Sequence, residues 1–230
     1  MIKAILLDIE GTTSSLSFVR DVLFPYSRER MADFIGSHLK DVEVRKLLDD
    51  ARAVAGQQLN NEQLIQQLLR WIDEDRKITP LKSLQGLIWG QGYQRGDLYG
   101  HIYEDAARKL KEWWSKGIKL YVFSSGSVYA QKLLFGHTKY GDLTPLFSGY
   151  FDTSIGAKQE VDSYRKIIGH IGRASSEILF LSDIKAELDA ARSAGMKTIW
   201  LVREGEIVFD GEHLQVRNFD AITFNRRPPR

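Results

Sequence analysis

Four short apolar runs, each of which stops at a polar or small residue, constrain the fold of this 230-residue chain more than any other feature. They occupy residues 2–7, 120–123, 178–181 and 198–202, and a weaker fifth run covers residues 221–224. Nearly continuous apolar runs that are rich in β-branched and aromatic residues are typical of strands buried on both faces. Such strands need other elements of the chain to cover both faces of their sheet.

Helical patterns lie between these runs. Apolar residues recur three to four positions apart over residues 104–116, 127–135, 163–171 and 186–194. Alternating strands and helices predict an α/β fold, with a parallel sheet and helices on both of its faces. Right-handed crossovers then bring the carboxyl ends of the strands to one edge of the sheet, where open α/β sheets bind their ligands.

A long segment interrupts the alternation after the first run. Residues 19–35, 42–55 and 61–75 have apolar positions at helical spacing, and no good strand is found before residue 120. The glycine-rich stretch at residues 86–96 has no P-loop or dinucleotide fingerprint, and we interpret it as a hinge or a loop between cap and core. A connection of this length far exceeds the usual α/β connection. We therefore predict a catalytic core of residues 1–14 and 103–230 and a helical cap of residues 15–102.

Composition excludes several classes of protein. The 32 Lys and Arg residues against 30 Asp and Glu leave a net charge of +2, without the basic excess of a nucleic-acid binder. The chain has no cysteine, which excludes a disulfide scaffold and a thiolate zinc site and fits a reducing cytoplasm. No apolar stretch approaches the roughly 18 residues of a membrane span, and no signal-peptide pattern is found. We expect a soluble cytoplasmic protein with no nucleic-acid or membrane partner, and we interpret the basic residues 226–230 as a solvated tail.

Carboxylates at two of the predicted strand ends form a candidate metal site. Asp8 and Glu10 follow the first run, and residues two apart in an extended segment point to the same side. Asp183 follows the third run, so its carboxylate is expected at the same edge of the sheet. Carboxylates this close repel one another unless a cation lies between them. Three converging carboxylates therefore predict an oxygen-lined site for Mg²⁺.

Two further segments predict a phosphate site at the same edge. Ser124 and Ser125 end the second run and precede a helix, and hydroxyls together with helix N-terminal N–H groups bind phosphate well. Lys158 precedes the helix at residues 163–171 and supplies a positive charge for a phosphoryl oxygen. Taken singly, these residues are commonly a helix cap and a solvated lysine. Together with the carboxylates they form the set that phosphoryl transfer through an aspartyl phosphate needs.

The order of these residues resembles the four motifs of the haloacid dehalogenase-like superfamily, and the helical insertion resembles the first type of cap in that superfamily. The sequence DIEGTT at residues 8–13 departs from the general pattern, which has Asp at the position of Glu10. Together with SSGSV at residues 124–128 and QKLLFGH at residues 131–137, this departure resembles the acireductone synthase family, the bifunctional enolase-phosphatases of methionine salvage. The segments FDT at residues 151–153 and SYRKI at residues 163–167 are similar too. The resemblance covers essentially the whole chain.

The resemblance implies a role for each carboxylate. Asp8 would be the nucleophile and a metal ligand, and Asp183 would be another ligand of the single Mg²⁺. Glu10 would be the acid/base residue and would contact the metal through its side chain or its main-chain carbonyl. Glu187 is left out of the predicted set, because it would either orient metal-bound water or be stabilised as a carboxylate near a helix N-terminus.

The resemblance also implies the remaining site residues and the reaction. Ser124 and Ser125 would bind the phosphate, and Lys158 would neutralise it as a catalytic and substrate-binding residue. The substrate would be 2,3-diketo-5-methylthiopentyl-1-phosphate, and the products would be phosphate and the acireductone 1,2-dihydroxy-3-keto-5-methylthiopentene. A proton leaves the carbon that carries the ester, which gives an enol, and the phosphate is then removed. The family further implies a monomer.

Two alternatives remain at this point. The first is a phosphomonoesterase of the same superfamily that acts on another small phosphate ester. The second is a receiver module, which accepts a phosphoryl group in order to signal. A receiver also uses an Asp, a metal, a hydroxyl and a lysine, but it is about half this length and has no inserted cap.

Overall fold

The computed structural model describes residues 1–207 and 211–223. The chain folds as two compact units, one formed by residues 1–16 together with the chain from Gly100 onward, and the other by Ser17–Tyr99. The functional division into a core and a cap, at residues 15 and 102, stays a prediction. Among the described residues, no helix is both long and apolar enough to span a bilayer.

A six-stranded parallel sheet lies at the centre of the first unit, which confirms the predicted α/β fold. Its strands are β1 (Ala4–Leu7), β2 (Lys119–Phe123), β3 (Phe147–Phe151), β4 (Ile178–Ser182), β5 (Lys197–Leu201) and β6 (Leu214–Val216). They are arranged in the order β3-β2-β1-β4-β5-β6. β1 therefore lies between β2 and β4, so the loops that follow these three strands are neighbours at one edge of the sheet.

Helices connect the strands and form the second unit. In chain order they are α1 (Leu16–Phe18), α2 (Phe24–His38), α3 (Val42–Ala55), α4 (Asn61–Asp73), α5 (Thr79–Arg95), α6 (Glu104–Ser115), α7 (Val128–Gly136), α8 (Val161–Ile171) and α9 (Lys185–Ser193). A π-helix at Val19–Leu23 joins α1 to α2. In the part of the chain that the structure describes, 3₁₀ turns lie at Thr144–Leu146, Ser175–Glu177 and Phe219–Ala221.

The core of the first unit forms where the apolar faces of helices meet the sheet. Tyr164 and Ile167 of α8 and Leu188 of α9 are fully buried in one cluster with Leu6 and Phe180 of the central strands. Leu6 and Phe180 lie opposite each other in the register of β1 and β4, so they belong to the same face of the sheet. Burial of this apolar area holds α8 and α9 against the strands whose ends carry the candidate site.

The two connections between the units run side by side within the first unit. The backbone N–H of Tyr103 donates to the carbonyl of Thr13 at 3.0 Å, and the backbone N–H of Ser15 donates to Nδ1 of His101 at 3.1 Å. The departing and returning segments of the chain are thus hydrogen-bonded to each other.

The glycine-rich stretch predicted as a hinge is part of helix α5, so that prediction was wrong. Pro80 lies in the first turn of α5, and Gly96 ends the helix in the left-handed conformation, at φ +76°. Gly92 lies inside the helix, where a Cβ atom would approach the hydroxyl of Tyr26 to 2.7 Å. The glycines lower the intrinsic helix propensity, but here close packing between α5 and α2 requires one of them.

The strand predictions were incomplete at the ends of the sheet. Strands β3 and β6 were not predicted, because neither has a continuous apolar run. The weak candidate at residues 221–224 was wrong at its start, since Ala221 ends a 3₁₀ turn. Phe224 and the basic residues 226–230 lie outside the described residues.

Candidate active site

Asp8 directly follows β1, the strand with β2 and β4 on either side. Its backbone N–H donates to the carbonyl of Leu181 in β4 at 2.9 Å, and Thr13 Oγ1 donates to the carbonyl of Asp8 at 2.7 Å. Only 4% of the residue is exposed. The Asp8 carboxylate is therefore held in a defined position, largely shielded from water, at the centre of the sheet edge.

The loop after Asp8 is a tight turn around the carbonyl of Ile9. The backbone N–H groups of Thr12, Thr13 and Ser14 all point to this oxygen, at 3.2, 2.9 and 2.8 Å. Gly11 adopts φ +73°, and a Cβ atom there would overlap with the carboxylate of Asp183. Glycine is thus required on both conformational and steric grounds, and the turn brings the loop after β1 against the loop after β4.

Thr12 joins the two carboxylates. Its Oγ1 lies 3.3 Å from Oδ2 of Asp8 and 3.5 Å from Oδ1 of Asp183, and its side chain is fully buried. Burial, and then the negative charge of Asp8, raise the pKa of Asp183 to about 7. Two carboxylates confined this closely in a site of oxygen ligands fit a hard divalent cation such as Mg²⁺.

Lys158 forms a buried ion pair with Asp8, and a second one with Glu187, whose Oε2 lies 2.8 Å from Nζ. The side chain of Lys158 is 11% exposed. Burial lowers the pKa of Lys158, but the negative charges of Asp8 and Glu187 raise it by more than burial lowers it. The net shift is therefore upward, and the lysine stays charged. The predicted lysine and the predicted nucleophile therefore meet, although they lie far apart in the sequence.

Glu187 belongs to this charge network. Its carboxylate accepts a hydrogen bond from Ser182 Oγ at 3.0 Å and pairs with Lys158. Burial, followed by the charge of Asp8, raises its pKa. Glu187 was left outside the predicted set, and its position four residues after Asp183 in a helix was the signal that could have placed it inside.

Two consecutive residues of α8 hold the backbone of the Lys158 loop. Ser163 Oγ donates to the carbonyl of Ala157 at 2.7 Å, and Tyr164 Oη donates to the carbonyl of Lys158 at 2.6 Å. Tyr164 is fully buried, and a Cβ atom on Gly156 would overlap with Ser163 Oγ. The backbone from which the Lys158 side chain extends is therefore held in place by α8.

Ser124 and Ser125 lie in the loop that follows β2. Ser124 is buried, and its Oγ accepts the backbone N–H of Gly126 at 3.2 Å. Gln131 of α7 holds this loop, because its Nε2 donates to the carbonyls of Gly126 and Phe151 at 2.8 and 2.9 Å. Since β2 neighbours β1, this loop lies at the sheet edge next to the loop of Asp8.

Glu10, the remaining predicted residue, lies within the turn after β1. It is half-buried, and its backbone forms an isolated bridge with Ser14. Its carbonyl and side chain belong to the same six-residue segment as Asp8, Gly11 and Thr12.

A different group of possible metal ligands lies elsewhere in the first unit. Ligand atoms of Asp189, Glu212 and His213 lie within 4.8 Å of one another. Lys185 Nζ lies 3.1 Å from both oxygens of Asp189 and 2.8 Å from Glu212, and His213 Nδ1 lies 2.7 Å from Thr198 Oγ1. Lys185 already pairs with both carboxylates, so this group ties α9 to β5 and to the segment before β6, and it is separate from the predicted magnesium ligands.

Known proteins resemble this chain in both sequence and fold. A family model described as haloacid dehalogenase-like hydrolase matches residues 2–195. A protein named Enolase-phosphatase E1 from Methylococcus capsulatus is 63% identical to this chain, over 96% of this chain and 98% of the relative. A protein of the same name from Aquifex aeolicus is 54% identical, over 89% of this chain and 92% of the relative. The crystal structure of UTR4 protein from Saccharomyces cerevisiae is 35% identical, with a TM-score of 0.83, and covers 96% of this chain and 100% of that one. CbbY from Rhodobacter sphaeroides in complex with phosphate, at 19% identity, 96% coverage of both chains and a TM-score of 0.58, shares the fold.

Proposed function

Because the chain belongs to the enolase-phosphatase E1 family of the haloacid dehalogenase-like hydrolases, we propose that it carries out the whole reaction of that family with one Mg²⁺ per chain. The predicted family resemblance is confirmed, and the chain is a phosphatase enzyme, an acireductone synthase. The proposed substrate is 2,3-diketo-5-methylthiopentyl-1-phosphate. The proposed products are phosphate and 1,2-dihydroxy-3-keto-5-methylthiopentene, formed in L-methionine salvage.

The buried ion pair between Asp8 and Lys158 is the observation that carries the proposal. A carboxylate at the centre of a sheet edge, paired with a charged lysine and adjacent to a second carboxylate, is suited to attack phosphorus. In the proposed step an Asp8 oxygen bonds to phosphorus while the bond from phosphorus to the ester oxygen breaks. Lys158 offsets charge on the phosphoryl oxygens, and Ser124 and Ser125 donate hydrogen bonds to them.

Asp8, Glu10 and Asp183 are the residues that would hold Mg²⁺. When bound there, the cation supplies positive charge that offsets both the carboxylates and the negative charge of the enolate and the phosphoryl group. The approach of Asp8 and Asp183 to the same Thr12 hydroxyl supports this site, because carboxylates this close repel each other unless a cation lies between them.

Glu10 is the proposed acid/base residue. As the aspartyl phosphate forms, the carboxyl group of Glu10 donates a proton to the leaving oxygen of the enol. The resulting carboxylate then takes a proton from the water that attacks phosphorus, and Asp8 is released. The extra methylene of Glu, relative to the Asp of the general superfamily pattern, gives this carboxylate a longer reach and fits a second task in enol formation.

The experiment is incubation of the purified protein with the diketo phosphate, with and without Mg²⁺, while enol absorbance and inorganic phosphate are followed together. We expect both signals in the presence of Mg²⁺, and no phosphate release by Asp8→Asn. Asp162→Asn is the matched control, because Asp162 is an exposed carboxylate that pairs with Arg165. Phosphate without an enol signal would favour the plain phosphomonoesterase, and a stable phosphoaspartate without turnover would favour the receiver.

The partner and location predictions remain proposals. We propose a monomer that acts in the cytoplasm on a small phosphate ester. The family resemblance implies the monomer and the small phosphate ester, and the absence of cysteine from the sequence fits a reducing cytoplasm.

A further inference from the structure

We propose that Arg203 is a positioning residue for this active site, which it serves by holding the turn after β1 in the shape that binds the divalent cation. The inference rests on the proposed function, since it assigns Arg203 a task toward the carboxylates of Asp8 and Asp183. Arg203 lies two residues after β5, outside every segment that the sequence motifs cover.

The guanidinium of Arg203 donates two hydrogen bonds to a single carbonyl of the turn after β1. Nε and Nη2 of Arg203 lie 3.0 and 2.8 Å from the carbonyl oxygen of Thr12. Charge-assisted hydrogen bonds are about twice as strong as neutral ones, and the two donors of a rigid fork fix direction as well as distance. Because β4 lies between β5 and β1, Arg203 reaches past the strand of Asp183 to bind the loop of Asp8.

The guanidinium is itself held on its other sides. Nη1 pairs with Asp105 at 2.8 Å, and the guanidinium carbon lies 4.1 Å from the ring centroid of Tyr103 and 5.1 Å from that of Phe219. Asp105 also accepts the backbone N–H of Phe219 at 2.7 Å. The side chain of Arg203 is 10% exposed. Its geometry is therefore set by α6 and by the 3₁₀ turn at Phe219–Ala221, and is not left to solvent.

Thr12 transmits this restraint to the carboxylates. Its carbonyl is bound by Arg203, while its hydroxyl lies within hydrogen-bond distance of both Asp8 and Asp183. A rotation of the peptide after Thr12 would move Thr13, whose hydroxyl holds the carbonyl of Asp8. Lysine can keep the charge near Asp105, but it has no planar fork with which to bind Thr12 in the same way.

The test is the affinity of substrate-free protein for Mn²⁺, measured from the free-ion signal in electron paramagnetic resonance. We expect Arg203→Lys to raise the Kd for Mn²⁺ about tenfold, at a temperature well below the Tm of the variant, and to lower kcat at a fixed, limiting Mg²⁺ concentration. Arg108→Lys is the matched control. Arg108 also pairs α6 with the turn at Phe219–Ala221, through Asp220, but it is exposed and binds no atom of the Thr12 loop, so its Kd should stay at the wild-type value.

A second variant separates positioning from simple support of the fold. Arg203→Ala with added guanidinium should recover Mn²⁺ affinity, whereas added methylammonium should not. An unchanged Kd in folded Arg203→Lys would overturn the inference, and so would failure of both variants to fold. Since Mn²⁺ binding needs no substrate, a wild-type protein that binds Mn²⁺ but leaves the diketo phosphate intact would refute the proposed function alone.

Discussion

Gly11 and Asp183 approach each other so closely that a Cβ atom on Gly11 would overlap with the Asp183 carboxylate. The two residues lie on loops that follow different strands, β1 and β4. Their approach brings the carboxylate of the second loop against the turn that carries the first, and any side chain on Gly11 would push the two loops apart.

Replacement of Gly11 by Ala should therefore remove activity and destabilise the protein. The left-handed conformation at φ +73° costs a non-glycine residue about 1–2 kcal/mol, before the overlap with Asp183 is counted. Urea unfolding and phosphate release measure the two effects. Gly36→Ala is the control, because Gly36 lies in α2 with no atom within 4 Å of its Cβ position, and it should stabilise the protein by about 0.5–1 kcal/mol.

The hydroxyl of Tyr164 should affect catalysis, although it donates its hydrogen bond to the backbone carbonyl of Lys158 and not to a candidate site side chain. Tyr164→Phe removes the hydrogen bond to the carbonyl of Lys158 and keeps the ring in the core, so it should lower the free energy of unfolding by about 1–3 kcal/mol. We expect kcat to fall at least about tenfold, because small displacements of a catalytic group are costly.

Tyr150→Phe is the matched control for that hydroxyl. The Tyr150 hydroxyl is buried without a hydrogen-bond partner among the described residues, so its removal should leave kcat unchanged and should not reduce stability. Equal kcat values for the two variants would contradict a role of Tyr164 in placing Lys158.

The metal-free protein should lose stability as pH rises from about 4 to about 7, through Asp183. The pKa of this carboxyl is about 7 in the folded state, against about 3.9 for an unfolded Asp, so in this window the folded chain binds a proton that the unfolded chain has released. The contribution is fully present below pH 4 and is lost as pH passes 7. In EDTA, Asp183→Asn should therefore be more stable relative to wild type at pH 8 than at pH 5.

Addition of Mg²⁺ at pH 8 should raise the stability of the wild type but not that of Asp183→Asn, since the cation needs the carboxylates of both Asp8 and Asp183. Thermal unfolding at both pH values, with and without Mg²⁺, checks both statements. The same pH dependence in wild type and Asp183→Asn would show that the carboxyl titrates normally.

Glu10 should separate the two chemical steps. Glu10→Gln removes proton transfer and should slow enol formation, phosphate release or both by about 10²–10⁴-fold. Glu10→Asp keeps the carboxylate but shortens its reach, so we expect a smaller loss in the same step. Each step is scored separately, by enol absorbance and by inorganic phosphate, with the exposed Glu29→Gln as control. Wild-type rates for both steps in both Glu10 variants would remove Glu10 from the mechanism.

Apolar runs predicted the central strands of the sheet and failed at its edges. Strands β1 and β4 are buried at every position, and β2 and β5 lie next to them inside the sheet, so all four carry a nearly continuous apolar run. Strand β3 contains Ser148 and Gly149 and is only partly buried, while β6 has three residues. Helix α5 was missed for a different reason, since its glycines lower helix propensity and one of them, Gly92, is required by close packing against α2.

The candidate site divides in a similar way. The candidate residues were predicted from the sequence because each stands at or near a strand end or just before a helix: Asp8, Glu10, Ser124, Ser125, Lys158 and Asp183. Tyr164 and Arg203 hold the loops of Lys158 and Asp8 through hydrogen bonds to backbone carbonyls, and no local sequence pattern marks such a contact. Arg203 in particular depends on the strand order, which places β5 one strand beyond β4.

The hydrogen bonds from Tyr103 to Thr13 and from Ser15 to His101 join the two ends of the first unit between which the segment Ser17–Tyr99 is inserted. The segment Ser17–Tyr99 departs and returns at neighbouring points that the rest of the chain already holds together. We therefore expect that a segment of another length, joined at the same two points, would leave the strand order of the first unit unchanged.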